Sequence, residues 1–377
     1  MNRDLKLVFT CNLVGSFGDG LYAFLLPVYM SNTLGLGSVE IGELYAVLSL
    51  FAAFTLLVSG ALADRYDRKK VMIAGWLAWL PVPLIFSFAR NWIELFPGMM
   101  LWGFWLGQPA SMAYIMTSAE PGKLTSTFTS ISVAGSLGYV FSPALGGFIA
   151  GNSGMKPVFY MAFIFYSLAC LTICFMKSQR ASPAQVSKEA DYSFRKILKN
   201  RKLLTLAVFF GVLMFFLMMF RYFIPKFLAD VYKFNDFEVG MLGSISYAGS
   251  VVIGLLLGKL GDKSSKSYPL ALSIVLSSVS IAFLLLFSSF SVLAFSFILI
   301  GGSYLTWYLL GAIAGPMAPE SWRARWVAVP QTVSMLASFL GPYLGGVLYA
   351  FSPKLPFIVA LAVMPVLALL AVKLFRD

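Results

Sequence analysis

The sequence predicts an all-helical membrane protein, with twelve transmembrane helices arranged as two pseudo-symmetric six-helix bundles. Three observations predict it. Of the 377 residues, 59% are hydrophobic and only 12% charged, where a soluble chain sits near half apolar and a quarter charged. Apolar runs of roughly 20 residues, the length that crosses a bilayer, recur twelve times between short loops. The chain also repeats itself. Pro27 pairs with Pro225, Glu40 with Glu238, Gly42 with Gly240, Gly60 with Gly258 and Asp64 with Asp262, each 198 apart. Pro143-Ala-Leu-Gly146-Gly147 matches Pro342-Tyr-Leu-Gly345-Gly346 at 199, and Glu120 matches Glu320 at 200. So constant an offset implies two halves of like fold.

In order, the first half reads as helices 1 to 6 over 6–31, 39–62, 71–89, 93–117, 125–150 and 157–177. The second reads as helices 7 to 12 over 202–230, 238–260, 268–287, 291–315, 326–350 and 355–375. The bundles are thus 1–177 and 202–377, joined by a cytoplasmic linker over 178–201. Ser182-Pro183 opens that linker. Tyr192-Ser-Phe-Arg-Lys-Ile-Leu-Lys closes it as an amphipathic basic segment suited to a membrane surface.

The net charge is +12, and its placement decides what it means. Arg3, Lys6, Arg65 to Lys70, Lys123, the basic residues of 177–202, Lys259, Lys263, Lys266, Arg323, Arg325, Lys373 and Arg376 fall on one side of alternate loops. The other side holds Arg90, Lys156, Lys226, Lys233 and Lys354. Basic loops face the cytoplasm, so both termini do. The chain is expected in the plasma or inner membrane of the cell. Anionic lipid accounts for the basic loops, and no nucleic-acid partner is needed. The start, Met1 to Lys6, leads into a run too long for a cleaved signal peptide.

Histidine is absent, which excludes imidazole catalysis, His proton relays and most transition-metal sites. Cys11, Cys170 and Cys174 all fall in apolar runs and read as small buried hydrophobes. Neither a phosphate-binding Gly-Lys loop nor a nucleophile elbow nor zinc-ligand spacing is present. The chain is not expected to be an enzyme, to bind metal or to need a cofactor.

One loop stands out. Gly60-Ala-Leu-Ala-Asp64-Arg65-Tyr66-Asp67-Arg68-Lys69-Lys70 sets six charges side by side between two apolar runs, so it lies in water between helices. Its form resembles the signature loop between helices 2 and 3 of the major facilitator superfamily of secondary transporters. Asp67 stands where that pattern usually has glycine. The resemblance covers the whole chain and implies a substrate site between the halves near the midplane. It also implies a role in gating for Gly60, Asp64, Arg65 and Arg68, with Glu120 within reach of Arg68. The second half repeats the set as Gly258, Asp262, Lys266 and Glu320. Each half is therefore expected to form an acid–base–acid cluster that breaks when the cytoplasmic gate opens.

Helix 5 carries Ser142-Pro143-Ala-Leu-Gly146-Gly147 and helix 11 carries Gly341-Pro342-Tyr-Leu-Gly345-Gly346. Both resemble the Gly-Pro-x-x-Gly-Gly signature of drug/proton-antiporter-like exporters. Physically, proline permits a bend and paired glycines permit close helix packing. These exporters often carry an arginine on helix 4 ahead of a glutamine. Here Leu101 to Gln108 holds none, leaving Arg221 as its substitute or the transport uncoupled.

Polar groups inside spans mark candidate sites. Asn12, Ser16 and Asp19 share one face of helix 1, which is expected to line the central cavity. Asp19 is the candidate proton or cation group. Arg221 lies deep in helix 7, and an Asp19–Arg221 pair is possible across the cavity. Gln108 and Tyr114 on helix 4, Tyr304 and Tyr308 on helix 10, and Gln331, Ser334 and Ser338 on helix 11 are further lining candidates. Met214, Phe215 and Met218 offer apolar walls. Glu40, Glu43 and Glu238 open helices 2 and 8, as helix-start carboxylates or outer-gate groups.

The expectation is a secondary active transporter exporting amphipathic small molecules against protons, as a monomer in the bilayer. A proton symporter importing organic acids, with Arg221 holding the carboxylate, is the first alternative. A receptor or scaffold that has lost transport is the second.

Overall fold

The computed structural model describes residues 2–120, 124–180, 200–265, 267–314 and 323–375, and the regular elements in them are helical. The twelve expected spans are all present. The first half holds α1 (Arg3–Ala23 and Leu26–Asn32), α2 (Ser38–Arg65), α3 (Arg68–Trp79 and Val82–Phe88), α4 (Trp92–Trp102 and Gly107–Ser118), α5 (Leu124–Ser153) and α6 (Met155–Cys174). The second holds α7 (Arg201–Arg221 and Ile224–Tyr232), α8 (Asp236–Lys263), α9 (Ser267–Leu286), α10 (Phe290–Ile300, a 3-10 turn Gly301–Leu305 and Thr306–Ala314), α11 (Arg323–Ser338 and Leu340–Phe351) and α12 (Leu355–Phe375). The amphipathic segment expected at 192–199 lies outside the described residues.

The interruptions follow the sequence. Pro27 and Pro225 sit in the first turn of the second segments of α1 and α7, where a missing N–H costs nothing. The starts are capped in parallel. Asn2 and Asn200 side chains accept from Leu5 and Leu203. Glu40 accepts from the Gly37 N–H, and Glu238 from the Asn235 N–H. Glu40 and Glu238 are thus helix-start carboxylates. Among the described residues, eleven spans are long and apolar enough to cross a bilayer. The twelfth, α4, is split into segments of 11 and 12 residues.

The described residues nearest the two chain ends, and those at 177–180, lie on one side, the terminal side. On the opposite, far side the halves meet backbone to backbone, and the paired glycines make this possible. A Cβ on Gly147 of α5 would strike the carbonyl oxygen of Asp236 of α8, and one on Gly240 would strike that of Pro143. The repeat-related contact joins α2 to α11, with Gly346 against the Ser38 carbonyl and Gly42 against that of Pro342. Gly146 and Gly345 serve a different end, seating α1 on α5 and α7 on α11 within their own halves. On the same side the buried Lys226 of α7 donates to Ser31 of α1 and pairs with Asp230 at 3.0 Å. Tyr349 Oη donates to Asp230 at 2.9 Å.

Toward the terminal side the pattern changes. Gly258, expected to act in gating, has no neighbouring heavy atom of the described residues outside its own helix backbone within 4 Å of where its Cβ would stand. The terminal-side segment of α4 packs mainly on α2 and α3, and that of α10 on α9 and α11, each within its own half. Cys11 is buried, Cys170 half-buried and Cys174 exposed, all as free thiols. The reading as buried hydrophobes therefore fails for Cys174.

Candidate functional site

Asp19 lies at the middle of α1 and is 7% exposed. Four donors surround its carboxylate. Oδ1 accepts from Trp102 Nε1 at 2.8 Å, Tyr166 Oη at 2.6 Å and Tyr22 Oη at 3.4 Å. Oδ2 accepts from Tyr139 Oη at 2.6 Å. An ion taken out of water this completely needs such donors. All four belong to the first half, on α1, α4, α5 and α6.

The face expected to line the cavity instead turns into the first half. Ser16 lies against Gly135 and Gly138 of α5, and those glycines let α1 approach closely. Asn12 donates to the Val8 carbonyl at 2.9 Å, back along its own helix. No ion pair joins Asp19 to Arg221 among the described residues. A row of rings lies between the two charges. Tyr139 stacks on Tyr247 of α8 with centroids 4.8 Å apart and planes at 20°. Tyr247 meets Tyr304 of α10 at 4.8 Å and 31°. The Arg221 guanidinium lies 3.7 Å from the Tyr304 ring centroid. Beside it, Tyr222 stacks on Tyr45 of α2 at 3.9 Å and 17°. A ladder of aromatic faces therefore crosses from one half to the other at the level of both charges.

Two breaks in the helices frame this ladder. α4 unwinds after Trp102, at Gly103, and α10 tightens into its 3-10 turn at Gly301. The two glycines are 198 apart, the period of the repeat. Each presses on backbone. Gly103 meets the Leu48 carbonyl and the Ala52 N of α2, and Gly301 meets the Ser246 carbonyl and the Ser250 N of α8. In the first half the freed groups are held by side chains. Thr55 Oγ1 donates to the Gly103 carbonyl and accepts from the Trp105 N–H, both at 3.1 Å. Trp79 Nε1 donates to the Phe104 carbonyl at 3.0 Å. Irregular backbone at membrane depth survives only with such partners, and paired interruptions in corresponding helices mark the binding region of a transporter.

The charged loop is tied into the first half by its own side chains. Asp67 is the N-cap of α3, accepting from the Lys69 N–H at 2.9 Å, which gives the unusual residue a local role. Arg68 is buried and donates to Thr117 Oγ1 at 2.6 Å, the Ala113 carbonyl at 3.1 Å and Gln179 Oε1 at 2.7 Å. Gln179, at the start of the linker, also donates from Nε2 to Ser118 Oγ at 3.0 Å. Glu120 is exposed beyond the end of α4, and Arg65 is exposed with its guanidinium 6.0 Å from the Tyr66 ring centroid. Gly60, Asp64, Asp262 and Tyr308 sit on described helices, but their side chains lie outside the described residues. Lys266 and Glu320 lie outside them altogether.

The other candidates divide. Tyr304 is in the ladder, and Gln331 is half-buried on α11. Gln108 is exposed on α4. Ser334 and Ser338 turn back on their own helix, to the Pro330 and Met335 carbonyls. The Tyr114 hydroxyl donates to the Lys177 carbonyl at 3.0 Å, tying α4 to the chain just before the linker. Met214 is buried, and Met218 and Phe215 are half-buried. Glu43 stands in a groove among Trp92, Phe96, Phe339, Leu340 and Tyr343, at the lateral seam of the halves. Sequence reasoning missed Trp102, Tyr139, Tyr166, Tyr247 and Lys226. The matching glycines Gly103 and Gly301 were the available signal for the broken segments.

Two like bundles of six helices, meeting through α5 with α8 and α2 with α11 around intramembrane charge, have the architecture of a membrane transporter rather than an enzyme. The chain belongs to the Major Facilitator Superfamily, whose sequence profile matches residues 8–237 and 218–377. It is similar to multidrug resistance protein 2 of Bacillus subtilis (strain 168), at 24% identity over 377 residues, covering 95% of this chain and 92% of that protein. It is also similar to the quinolone resistance protein NorA of Staphylococcus aureus (strain Mu50 / ATCC 700699), at 21% identity over 373 residues, 96% of this chain and 94% of that one. Among solved structures, the nucleoside transporter NupG superposes with a TM-score of 0.76 at 15% identity over 100% of both chains. A POT family transporter in complex with a thioalcohol-conjugated peptide gives 0.78 at 14% identity, over 98% of this chain and 96% of that one.

Proposed function

We propose that this secondary transporter exports amphipathic small molecules in exchange for protons, by rocking its two halves about the aromatic ladder. The basic loops make the terminal side cytoplasmic. In this reading the halves stand joined on the outer side and the site is reached from within. The similarity to drug-resistance proteins supports export.

The observation that carries the reading is the bond from Tyr139 to Asp19. Among the described hydrogen bonds, Oδ2 accepts from Tyr139 alone, and Tyr139 is the donor whose ring rests on the second half. A proton arriving on Oδ2 displaces that hydroxyl. Neutralising Asp19 therefore loosens a member of its shell whose ring stacks on the opposite bundle. Proton uptake from outside thus couples to movement between the halves, and release to the cytoplasm restores the contact. Arg68, Asp64 and the loop around them close the cytoplasmic face in the alternate state.

The test is transport by purified protein in liposomes. Asp19→Asn keeps the acceptor oxygen and cannot take a proton. It should fold, bind cargo and lose uphill transport driven by a proton gradient. Full uphill transport by Asp19→Asn would remove the role.

A further inference from the structure

We propose that the cargo is an amphipathic organic anion, an aromatic ring bearing a carboxylate, held at Arg221. This inference rests on the exporter reading and names its substrate class.

The charge balance of the site points there. The sequence holds 16 acidic residues, and Asp19 alone stands at the middle of a span. Its two oxygens are already filled by Trp102, Tyr166, Tyr22 and Tyr139. Asp230, the acid nearest the far end of α7, is taken by Lys226 and Tyr349. Arg221 has no carboxylate partner among the described residues. Its recorded contact is the Tyr304 ring beneath its plane, which leaves the N–H groups at the edge of the guanidinium. Arg221 is half-buried, and its nitrogens are not among the enclosed atoms without a partner.

A guanidinium deep in a membrane protein demands an acceptor. Its fork matches a carboxylate in two parallel bonds. Its contact with the Tyr304 ring at 3.7 Å limits the freedom it has to lose on binding. The adjoining rings of Tyr304, Tyr247 and Tyr139, and of Tyr222 against Tyr45, supply faces for an aromatic body. A cationic cargo would meet the uncompensated charge of Arg221, while the balancing carboxylate of Asp19 is sealed behind four donors. The positive member of the pair faces the cargo and the negative member faces the proton.

A pair of probes of one shape and opposite charge tests this: naphthalene-1-carboxylate and 1-naphthylmethylammonium. Purified full-length protein is assayed for binding by equilibrium dialysis and for gradient-driven movement in liposomes, against empty liposomes. The expected result is tighter binding and faster movement of the acid. Arg221→Gln, checked for folding by its thermal transition, should weaken acid binding about 10- to 100-fold and spare the amine. Arg221→Lys should lie between. Preference for the amine, or acid binding unchanged in Arg221→Gln, would overturn the proposal. The preference of the unaltered protein decides the matter even if no variant folds. Movement of the amine alone removes the substrate class and keeps the exporter. Movement of neither probe, with no binding of either, removes both.

Discussion

Gly103 of α4 and Gly301 of α10 occupy the same place in the two halves. Each is wedged against the backbone of the neighbouring long helix, and each begins the irregular stretch of its own. The halves solve the resulting hydrogen-bond problem separately. Thr55 stitches the first break. The second keeps 3-10 bonds and adds Thr306 Oγ1 donating to the Ser303 carbonyl at 2.9 Å. Gly103→Ala must push a methyl into the Leu48 carbonyl. It should cost about 2 kcal/mol and cut transport more than Thr55→Ser, which retains the stitch. Thermal unfolding and initial transport rates check it. A stable, fully active Gly103→Ala would show that the close approach is incidental.

Adjacent glycines on α5 should behave oppositely. Gly147 touches the second half and Gly146 touches α1. Gly147→Ala is therefore expected to hold the far side apart while the first half stays intact. Gly146→Ala is expected to lower stability, because α1 and α5 stay packed within the half. Labelling of a cysteine introduced at Asn152, in a background without the three native cysteines, reads the first effect. Faster labelling in Gly147→Ala and unchanged labelling in Gly146→Ala is the predicted pattern.

The linker is a structural brace as well as a connector. Gln179 joins Arg68, Ser118 and, through its backbone, Asp67. Gln179→Ala should strip a charge-assisted bond from a buried guanidinium and cost about 1–2 kcal/mol. Arg68→Lys should cost more, since one ammonium cannot serve Thr117, Ala113 and Gln179 in a plane. Denaturation in detergent orders the two. Equal stability of both variants with the native chain would contradict the brace.

Lys226 and Asp230 form a pair that is 9% and 29% exposed. Asp230 keeps some water, so Lys226→Met should cost about 2–3 kcal/mol, below the range for fully enclosed pairs. Lys226→Met combined with Asp230→Leu should recover much of it, because no charge is then stranded. A double-mutant cycle measures the coupling, and strict additivity would deny it.

The spans were legible because hydrophobic length alone sets them, and the repeat made the two halves explicit. Asp19 and Arg221 were legible as charges out of place in oil. Their partners were not. Which face of α1 turns inward depends on Gly135 and Gly138 of a helix more than a hundred residues away, and no local pattern encodes it. Tyr139 and Tyr247 were two aromatics in a chain holding 17 tyrosines and 35 phenylalanines, so neither stood out. Lys226 looked like a loop charge because it follows a long apolar run. Its spacing of four from Asp230 was the clue that it could be enclosed. The contacts of Tyr114 were hidden for a simpler reason: residues 177–179 fold back onto α4.

The most direct test of the central claim is a distance across the halves. Spin labels at Asn152 and Lys354, both exposed on the far side, report whether that side is joined. The account predicts that Asp19→Asn lengthens this distance, because a neutral group holds Tyr139 less firmly against Tyr247. An unchanged distance in Asp19→Asn, with transport intact, would contradict it.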